Sequence, residues 1–113
     1  MLRAMDLSAA SPRFEALGNP TRLAVVRLLV RAGEGGLPVG QIQDQLGIAG
    51  STLSHHMKSL VSVGLVEQRR ERTMLICRVN YALIRDLIDF LMAECCLDAT
   101  APIPPPGPSQ TCA

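Results

Sequence analysis

Two short amphipathic segments on either side of a glycine-containing break constrain the fold of this 113-residue chain more than any other feature. In both segments, apolar residues recur at the spacing of one helix face. They are Val39, Ile42 and Leu46 in the first, and Leu53, Met57, Leu60 and Val61 in the second. Residues 47–50 form the break, Ser51 is a good N-cap for the second helix, and Gly64 ends it. Two helices joined by so short a turn predict a helix-turn-helix motif.

Two further helices are predicted before this motif. Ser11 and Pro12 have the residue types of an N-cap and a first helical residue, and Gly18 stops that helix. Asn19 and Pro20 repeat the start signal for a second helix that runs to about residue 32. Because apolar residues go nearly all round this second helix, we expect it to be buried.

Beyond the motif, the sequence predicts a β-hairpin and a long final helix. Residues 65–69 and 74–79 are rich in β-formers. They flank residues 70–73, which lack Gly, Asn and Asp and therefore predict a four-residue loop. Asn80 caps a helix to about Leu97 whose apolar residues occupy far more than one stripe. Such a helix must bury two faces, and a second subunit is the simplest cover for one of them.

The expected architecture is therefore one mainly α-helical domain with a small β-hairpin, spanning residues 1–97. Residues 98–113 are rich in proline and predict a flexible tail that carries Cys112. No apolar run reaches the roughly 18 residues needed to span a bilayer. No secretory signal is visible near the N-terminus. The expected location is the cytoplasm, with no membrane partner.

The charge distribution favours a DNA-binding surface. The net charge is +1, but residues 51–80 hold five basic and two acidic residues. A local basic zone on a nearly neutral protein is typical of a small nucleic-acid interface. The chain has no Gly-rich phosphate loop and no paired carboxylates, so neither an enzyme nor an organic cofactor is expected.

The second helix of the motif is expected to read DNA with its outward face. That face carries small polar side chains and one cation, namely Ser51, His55, Lys58, Ser59 and Ser62, with Thr52 and Ser54 at its flanks. Such groups bond to phosphates or base edges in a major groove. Arg69, Arg70 and Arg72 of the hairpin would reach the adjacent minor groove or backbone. A solvated helix beside a solvated hairpin is the plain alternative, and His56 is expected to pack rather than contact DNA.

Residues 46–60, LGIAGSTLSHHMKSL, followed by Gly64-Leu65-Val66 and Arg69-Arg70-Glu71, resemble the winged helix-turn-helix of the arsenical-resistance repressors, the ArsR/SmtB type. Residues 17–23, LGNPTRL, resemble the segment between the first two helices of that family. The resemblance covers about residues 11–97. It implies a homodimer, joined through its N- and C-terminal helices, that represses transcription from an imperfect palindromic operator in double-stranded DNA. A metal or metalloid would release it. The two recognition helices would then lie one DNA turn apart, ~34–36 Å.

This sequence departs from the family pattern at the wing. Arg72 stands where the family usually has glycine at the turn of the wing. Met74, Leu75 and Ile76 replace tyrosines that are common in the second wing strand.

Two metal sites known in the family lack their ligands here. Residues 41–46, QIQDQL, contain no thiol, and the histidines of the chain are His55 and His56, so the last helix has none. Cys95 and Cys96, with Cys112 in the tail, resemble a subgroup whose binding thiols lie at the C-terminus. Thiols suit thiophilic ions. The expected inducer is arsenite, with antimonite as a second ligand of the same chemistry, held by these three thiolates.

The cysteines carry further expectations. On a continuous helix, Cys95 would follow the apolar face toward the dimer contact and Cys96 would follow the polar strip. Cys112 lies farther from the pair than the subgroup pattern has it. Cys77, in a wing strand, is expected to fill the core.

Two other hypotheses remain open. The same fold could respond to thiol oxidation or to another thiophilic metal. A thiol enzyme or metallochaperone would want Cys-x-x-Cys near a βαβ pattern and a nearby general base, which this sequence lacks.

Overall fold

The computed structural model describes residues 5–100, which form five helices and a three-stranded antiparallel sheet. In chain order the elements are α1 (Leu7–Leu17), α2 (Pro20–Ala32), β1 (Leu37–Pro38), α3 (Val39–Leu46), α4 (Gly50–Ser62), β2 (Val66–Glu71), β3 (Met74–Val79) and α5 (Tyr81–Met92). The predicted fold class, mainly α-helical with a small β wing, is confirmed. Within residues 5–100, no helix has both the length and the apolar content of a bilayer-spanning segment.

The first two helices differ in how well their starts were predicted. Helix α1 begins at Leu7, because the carboxylate of Asp6 accepts a hydrogen bond from the Ala9 amide at 2.8 Å. Ser11 is therefore not the cap, and Pro12 lies inside the helix. Helix α2 begins as predicted, with the Asn19 side chain accepting from two amides of the first turn at 2.9 and 3.1 Å.

The expected all-round burial of α2 is wrong for the single chain. Val25, Val26 and Leu29 are buried, but Leu23 is 43% and Val30 is 41% exposed. Apolar side chains therefore lie on more faces of α2 than the rest of the described chain covers.

The helix-turn-helix consists of α3 and α4. Gly47 ends α3 in the left-handed region with φ 65°, a conformation that glycine adopts at little cost. Helix α4 begins at Gly50 after Ala49, with no side-chain cap, so Ser51 is a helical residue rather than the N-cap. The hydroxyl of Ser51 is thereby left on the exposed surface.

The sheet contains one strand that the sequence did not predict. Strand β1 pairs with β3, and the strand order is β1-β3-β2. Gly36 precedes β1 with φ 71°, where a Cβ would clash with the main-chain carbonyl of Cys77. In the hairpin, Glu71 pairs with Met74, so the loop has two residues and the predicted four-residue loop is wrong. Arg72 adopts φ 59° in that loop.

The core lies where α2, α3, α4 and the sheet meet. Its fully buried large side chains are Val25, Leu29, Ile42, Leu53, Leu60, Leu65, Val66, Cys77 and Val79. Each buried aliphatic side chain of this size contributes ~1.5–3 kcal/mol relative to exposure. The cluster therefore fixes the position of α4 under the wing.

Helix α5 is shorter than predicted. The Asn80 side chain accepts from the Leu83 amide at 3.1 Å, as expected of the cap, but the helix ends at Met92 rather than near Leu97. Successive turns follow, held by bonds such as Cys95 N to Met92 O at 3.0 Å. The predicted domain boundary at residue 97 stays a prediction. The tail beyond residue 100, with Cys112, lies outside the described residues.

Candidate nucleic-acid interface and thiol pair

The outward face of α4 is polar and open, as the sequence predicted. Leu53, Met57 and Leu60 are buried, whereas Val61 is 38% exposed and does not belong to the inward row. Every α4 residue predicted to contact DNA is exposed: Ser51, Thr52, Ser54, His55 and Lys58. The helix therefore offers a row of small hydrogen-bonding groups with one cation to a groove.

The serines of α4 differ in what their hydroxyls already bond. Ser62 donates to the Ser59 carbonyl at 2.8 Å, and Ser59 donates to the His55 carbonyl at 3.5 Å. Within residues 5–100, Ser51, Thr52 and Ser54 make no side-chain hydrogen bond, so their hydroxyls remain available. The first turn of α4 is thus the best equipped to meet DNA, which is where recognition helices usually contact bases.

The register of the hairpin places its arginines on opposite faces. Alternate residues of a strand point to the same side. Gln68 lines a cleft of about 200 Å³ together with Lys58 of α4 and Leu75 of β3. Arg70 is two residues beyond Gln68 and pairs with Leu75, so it lies on the side of α4. Arg69 lies on the other face.

Acidic neighbours neutralise two of the basic residues in this region. Arg69 forms an ion pair with Glu71 at 3.2 Å. Arg78 forms ion pairs with Glu67 at 3.1 Å and with Glu34 at 3.4 Å. Among the ion pairs within residues 5–100, none involves the other three cations of this region, which are Lys58, Arg70 and Arg72. These three carry the free positive charge of the interface.

Arg70→Ala is expected to weaken DNA binding about tenfold, whereas Arg69→Ala should weaken it by less than about threefold. A cation that neutralises one phosphate contributes about 0.9 to the slope of log affinity against log salt. That slope should therefore fall by about one for Arg70→Ala and stay unchanged for Arg69→Ala. Fluorescence anisotropy on a duplex selected from a random pool by the wild-type protein measures both. Equal losses for the two variants would contradict the assignment of faces.

His56 lies at the contact between α4 and α2, as its predicted packing role requires. It is half-buried, and its Nδ1 is 3.4 Å from Nη1 of Arg22. Burial, then the charge of Arg22, then the neighbouring His55 hold the pKa of His56 below the ordinary value of 6.5. The unfolded chain therefore binds the proton more tightly, so this histidine lowers stability as the pH falls through 6.5 and below.

The two C-terminal thiols of the described chain form a pair. The Sγ atoms of Cys95 and Cys96 are 3.2 Å apart, and both residues are exposed. Cys96 has φ 64° in the turns after α5. The prediction that one thiol would face the dimer contact and the other solvent rested on a continuous helix. Helix α5 ends at Met92, so that basis is lost and the orientation of the two thiols toward a second subunit stays a prediction.

The chemistry of this pair suits a thiophilic ion. Two sulfur atoms at this separation can bond a single atom, and neither has to leave a packed environment. The hydrogen bond with Cys95, followed by slight burial and the charge of Cys95, raises the pKa of Cys96. Within residues 5–100, no group of three metal-ligating side chains exists. Cys112, the third predicted ligand, lies outside that range.

Cys77 occupies the core, as the sequence predicted. It is fully buried, and its Sγ accepts a hydrogen bond from Gln68 Nε2 at 3.4 Å. Burial raises the pKa of this thiol. A buried protonated thiol of this kind is chemically inert.

Sequence reasoning missed two residues that shape the interface. Arg22 reaches α4, although 34 residues separate it from His56. Gln68 covers Cys77 from the neighbouring strand. Arg22 falls within the LGNPTRL segment, but a segment resemblance carries no information about distant contacts.

Comparison with known proteins places this arrangement in a family. The sequence profile of a helix-turn-helix domain matches residues 17–69. The HTH-type transcriptional regulator MJ1325 of Methanocaldococcus jannaschii is 41% identical over 57% of this chain and 70% of its own length. The biofilm growth-associated repressor of Xylella fastidiosa is 34% identical over 73% of this chain and 69% of its own. The arsenical resistance operon repressor ArsR assigned in Halobacterium salinarum is 34% identical over 62% of this chain and 59% of its own length.

A solved structure agrees with these sequence relatives. The homodimeric winged helix-turn-helix DNA-binding domain of Mb0332 from Mycobacterium bovis, described as a possible ArsR-family transcriptional regulator, superposes with a TM-score of 0.64. It is 27% identical and covers 86% of this chain and 90% of its own. This chain belongs to the ArsR family of transcription regulators. The predicted function class, a DNA-binding regulator rather than an enzyme, is thereby confirmed.

The ArsR-family assignment gives α4 and the hairpin their roles. Helix α4 is the recognition helix of the motif, and β2 with β3 forms the wing. The eight predicted DNA-contact residues all lie on these two elements and are all exposed.

Proposed function

We propose that this ArsR-family regulator is a homodimeric repressor that leaves its palindromic operator when trivalent arsenic binds Cys95, Cys96 and Cys112. The observation that carries the proposal is the exposed pair of thiols 3.2 Å apart directly after α5. The relatives differ in the signal that their names imply, so the proposed inducer rests on the thiols of this chain.

The dimer is supported by an uncovered apolar surface. The described residues leave four large side chains of α1 and α5 largely exposed: Leu7 at 76%, Ile88 at 51%, Leu91 at 66% and Met92 at 59%. Contiguous exposed apolar patches on small proteins usually mark an interface. The related Mb0332 domain is a homodimer. A second copy of this chain is the proposed cover.

The binding step exchanges hydroxyls for thiolates. Arsenous acid, As(OH)₃, reacts with three thiols to give one arsenic bonded to three sulfurs and three water molecules, with no change of oxidation state. Antimonite reacts in the same way. Cys95 and Cys96 would supply two sulfurs, and Cys112 from the same or the second subunit would supply the third.

The release step follows from where the thiols lie. They follow α5, whose exposed side chains would pack in the dimer. Closing the tail onto Cys95 and Cys96 would repack that contact and alter the distance between the two α4 helices. A dimer with a different spacing no longer fits a fixed palindrome.

A mobility-shift titration tests the proposal. Arsenite at micromolar concentration should release the selected duplex from the wild-type protein. The Cys95→Ser/Cys96→Ser variant should bind DNA equally well and stay bound at every arsenite concentration. Cys77→Ala serves as the matched control, because it removes a cysteine outside the site and should respond like the wild type. Release of the double variant at wild-type concentrations would overturn the assignment.

The third ligand needs its own measurement. The arsenic of phenylarsine oxide can bond two thiolates, so this compound should release both the wild-type protein and Cys112→Ser from DNA. The arsenic of arsenite can bond three thiolates. Its potency in releasing DNA should fall at least about tenfold on Cys112→Ser, since one As–S bond is missing. Equal arsenite potency on both proteins would remove Cys112 from the site.

Oxidation is a second candidate, favoured by the exposure of both thiols. Two thiols would lose two electrons and two protons to hydrogen peroxide, giving one disulfide and two waters. The disulfide would join Cys95 to Cys112 or link the two subunits. This candidate is selected over the first if peroxide releases the protein from DNA, dithiothreitol restores binding, and arsenite has no effect.

A further inference from the structure

Arg22 connects three helices through its guanidinium group. It belongs to α2, and its Nε donates to the carbonyl of Ala16 in the last turn of α1 at 2.7 Å. Its Nη1 lies 3.4 Å from Nδ1 of His56 on the recognition helix α4. One side chain therefore spans from α1 to α4.

The seam between α1 and α4 combines polar contacts with two open clefts. A cleft of about 500 Å³ opens between the two helices, lined by residues such as Pro12 and Val63. Arg13 crosses its rim by donating from Nε to the Val63 carbonyl at 3.0 Å. A second cleft, of about 270 Å³, continues along the same seam beside Arg22. At the edges of these clefts, arginine-to-carbonyl hydrogen bonds join α1 to α2 and to the residue that follows α4.

We propose that Arg22 is a positioning residue for DNA reading, which fixes α4 against α1 by holding His56 and the Ala16 carbonyl at once. The proposal rests on α4 being the recognition helix. Arg22 acts through His56, and neither residue needs to contact DNA.

The geometry determines the state of the imidazole. A guanidinium has donors and no acceptor, so His56 Nδ1 must accept, and the ring proton must sit on Nε2. A protonated His56 has no acceptor and stands beside a second cation. The charged and titratable groups beside it are Arg22 from α2 and His55 on its own helix, with the two imidazole centroids 5.6 Å apart. Glu15 of α1 lines the cleft beside Arg22.

Helix α1 also carries Leu7 of the proposed dimer surface. Through the Ala16 carbonyl, Arg22 therefore joins the helix that carries Leu7 to the helix that reads DNA. Cutting this connection should weaken operator recognition while leaving the fold intact.

The first test reads the free protein and needs no DNA. NMR of ¹⁵N-histidine-labelled protein above pH 7 should show His56 as the Nε2–H tautomer in the wild type. In Arg22→Ala it should become a mixture of both tautomers. His55, assigned with His55→Gln, should not change. An unchanged His56 tautomer in Arg22→Ala would overturn the proposal, whether or not arsenite acts on this protein.

The second test is a double-mutant cycle on operator affinity. Arg22→Ala and His56→Ala should each weaken binding to the selected duplex about tenfold, and the double variant should be no weaker than either single one, because coupled residues are non-additive. Their affinity for random duplex should change less than twofold. Losses that multiply in the double variant would contradict the proposal.

Conservative variants separate positioning from charge. His56→Asn keeps an acceptor near the Nδ1 position and should retain affinity within about threefold, whereas His56→Gln places its acceptor farther out and should behave like His56→Ala. Arg22→Lys keeps the charge but cannot bond both Ala16 and His56 in the same way, so it should remain weak. Full affinity in Arg22→Lys would mean that Arg22 acts only as a cation, and positioning would be wrong.

Discussion

Leu91→Glu is expected to convert the proposed dimer into a folded monomer. Leu91 is 66% exposed in the single chain, so the change removes little from the core of one subunit. In a two-fold interface each substitution occurs twice. Losing the burial of two leucines at ~1.5–3 kcal/mol each, together with placing two carboxylates in an apolar contact, corresponds to at least about a 1,000-fold weaker dimer. Operator binding should weaken with it, since two half-sites are then bound independently.

Sedimentation velocity across a concentration series measures this change, and circular dichroism checks the fold. Ala82→Glu is the matched control, because Ala82 is exposed and lies on another side of α5, about 120° from Ile88 at 100° per residue. This control should dimerise like the wild type. A Leu91→Glu protein with the wild-type dimer constant would place the interface elsewhere.

Gly36→Ala is expected to lower the free energy of unfolding by about 2–4 kcal/mol, which is large for adding one methyl group. At φ 71° a residue with a Cβ is strained by ~1–2 kcal/mol. The new Cβ would also clash with the Cys77 carbonyl and approach the Arg78 Cβ to 3.2 Å. Neither neighbour can move freely, because Cys77 pairs with Leu37 in the sheet.

Gly35→Ala is the control for this substitution, since a Cβ there meets nothing within 4 Å. It should leave the free energy of unfolding within about 1 kcal/mol of the wild type, because it also restricts the unfolded chain. Urea unfolding followed by circular dichroism compares the two. Equal stability of both variants would show that β1 can leave the sheet at little cost.

Local signals in the sequence predicted the elements that depend on local interactions. The Asn19 cap, the spacing of Ile42 with Leu46, and the glycine at position 47 act within one or two helical turns. The exposed face of α4 followed from 100° per residue once Leu53 was placed inward. These features need no knowledge of the tertiary structure.

Contacts between distant segments could not be read in this way. Strand β1 has two residues and exists because β3 offers it an edge. The difference between Arg69 and Arg70 depends on which face of the wing each occupies, and therefore on the register with β3. The two-residue loop requires Arg72 at φ 59°, a conformation that the residue type disfavours and the paired strands impose.

The end of α5 was mispredicted for a related reason. Residues 93–97 have helix-compatible types, so periodicity continues through them. All of them are exposed in the single chain, so packing does not stabilise a further helical turn. The faces predicted for Cys95 and Cys96 lost their basis for the same reason, because a helix wheel assigns faces only where a helix exists.

The side-chain hydrogen bonds of helix α5 lie at its beginning. Asn80 caps it, and the Tyr81 hydroxyl donates to the carbonyl of Val30 at 2.8 Å and to that of Leu29 at 3.3 Å. Past the buried Leu87, the helix has mainly exposed side chains. The twelve residues of α5 span ~18 Å, so a tilt of about 10° at Tyr81 displaces the far end by about 3 Å. A pull on the chain beyond Met92 that tilted the helix by this amount would therefore produce a displacement on the scale of an atomic diameter.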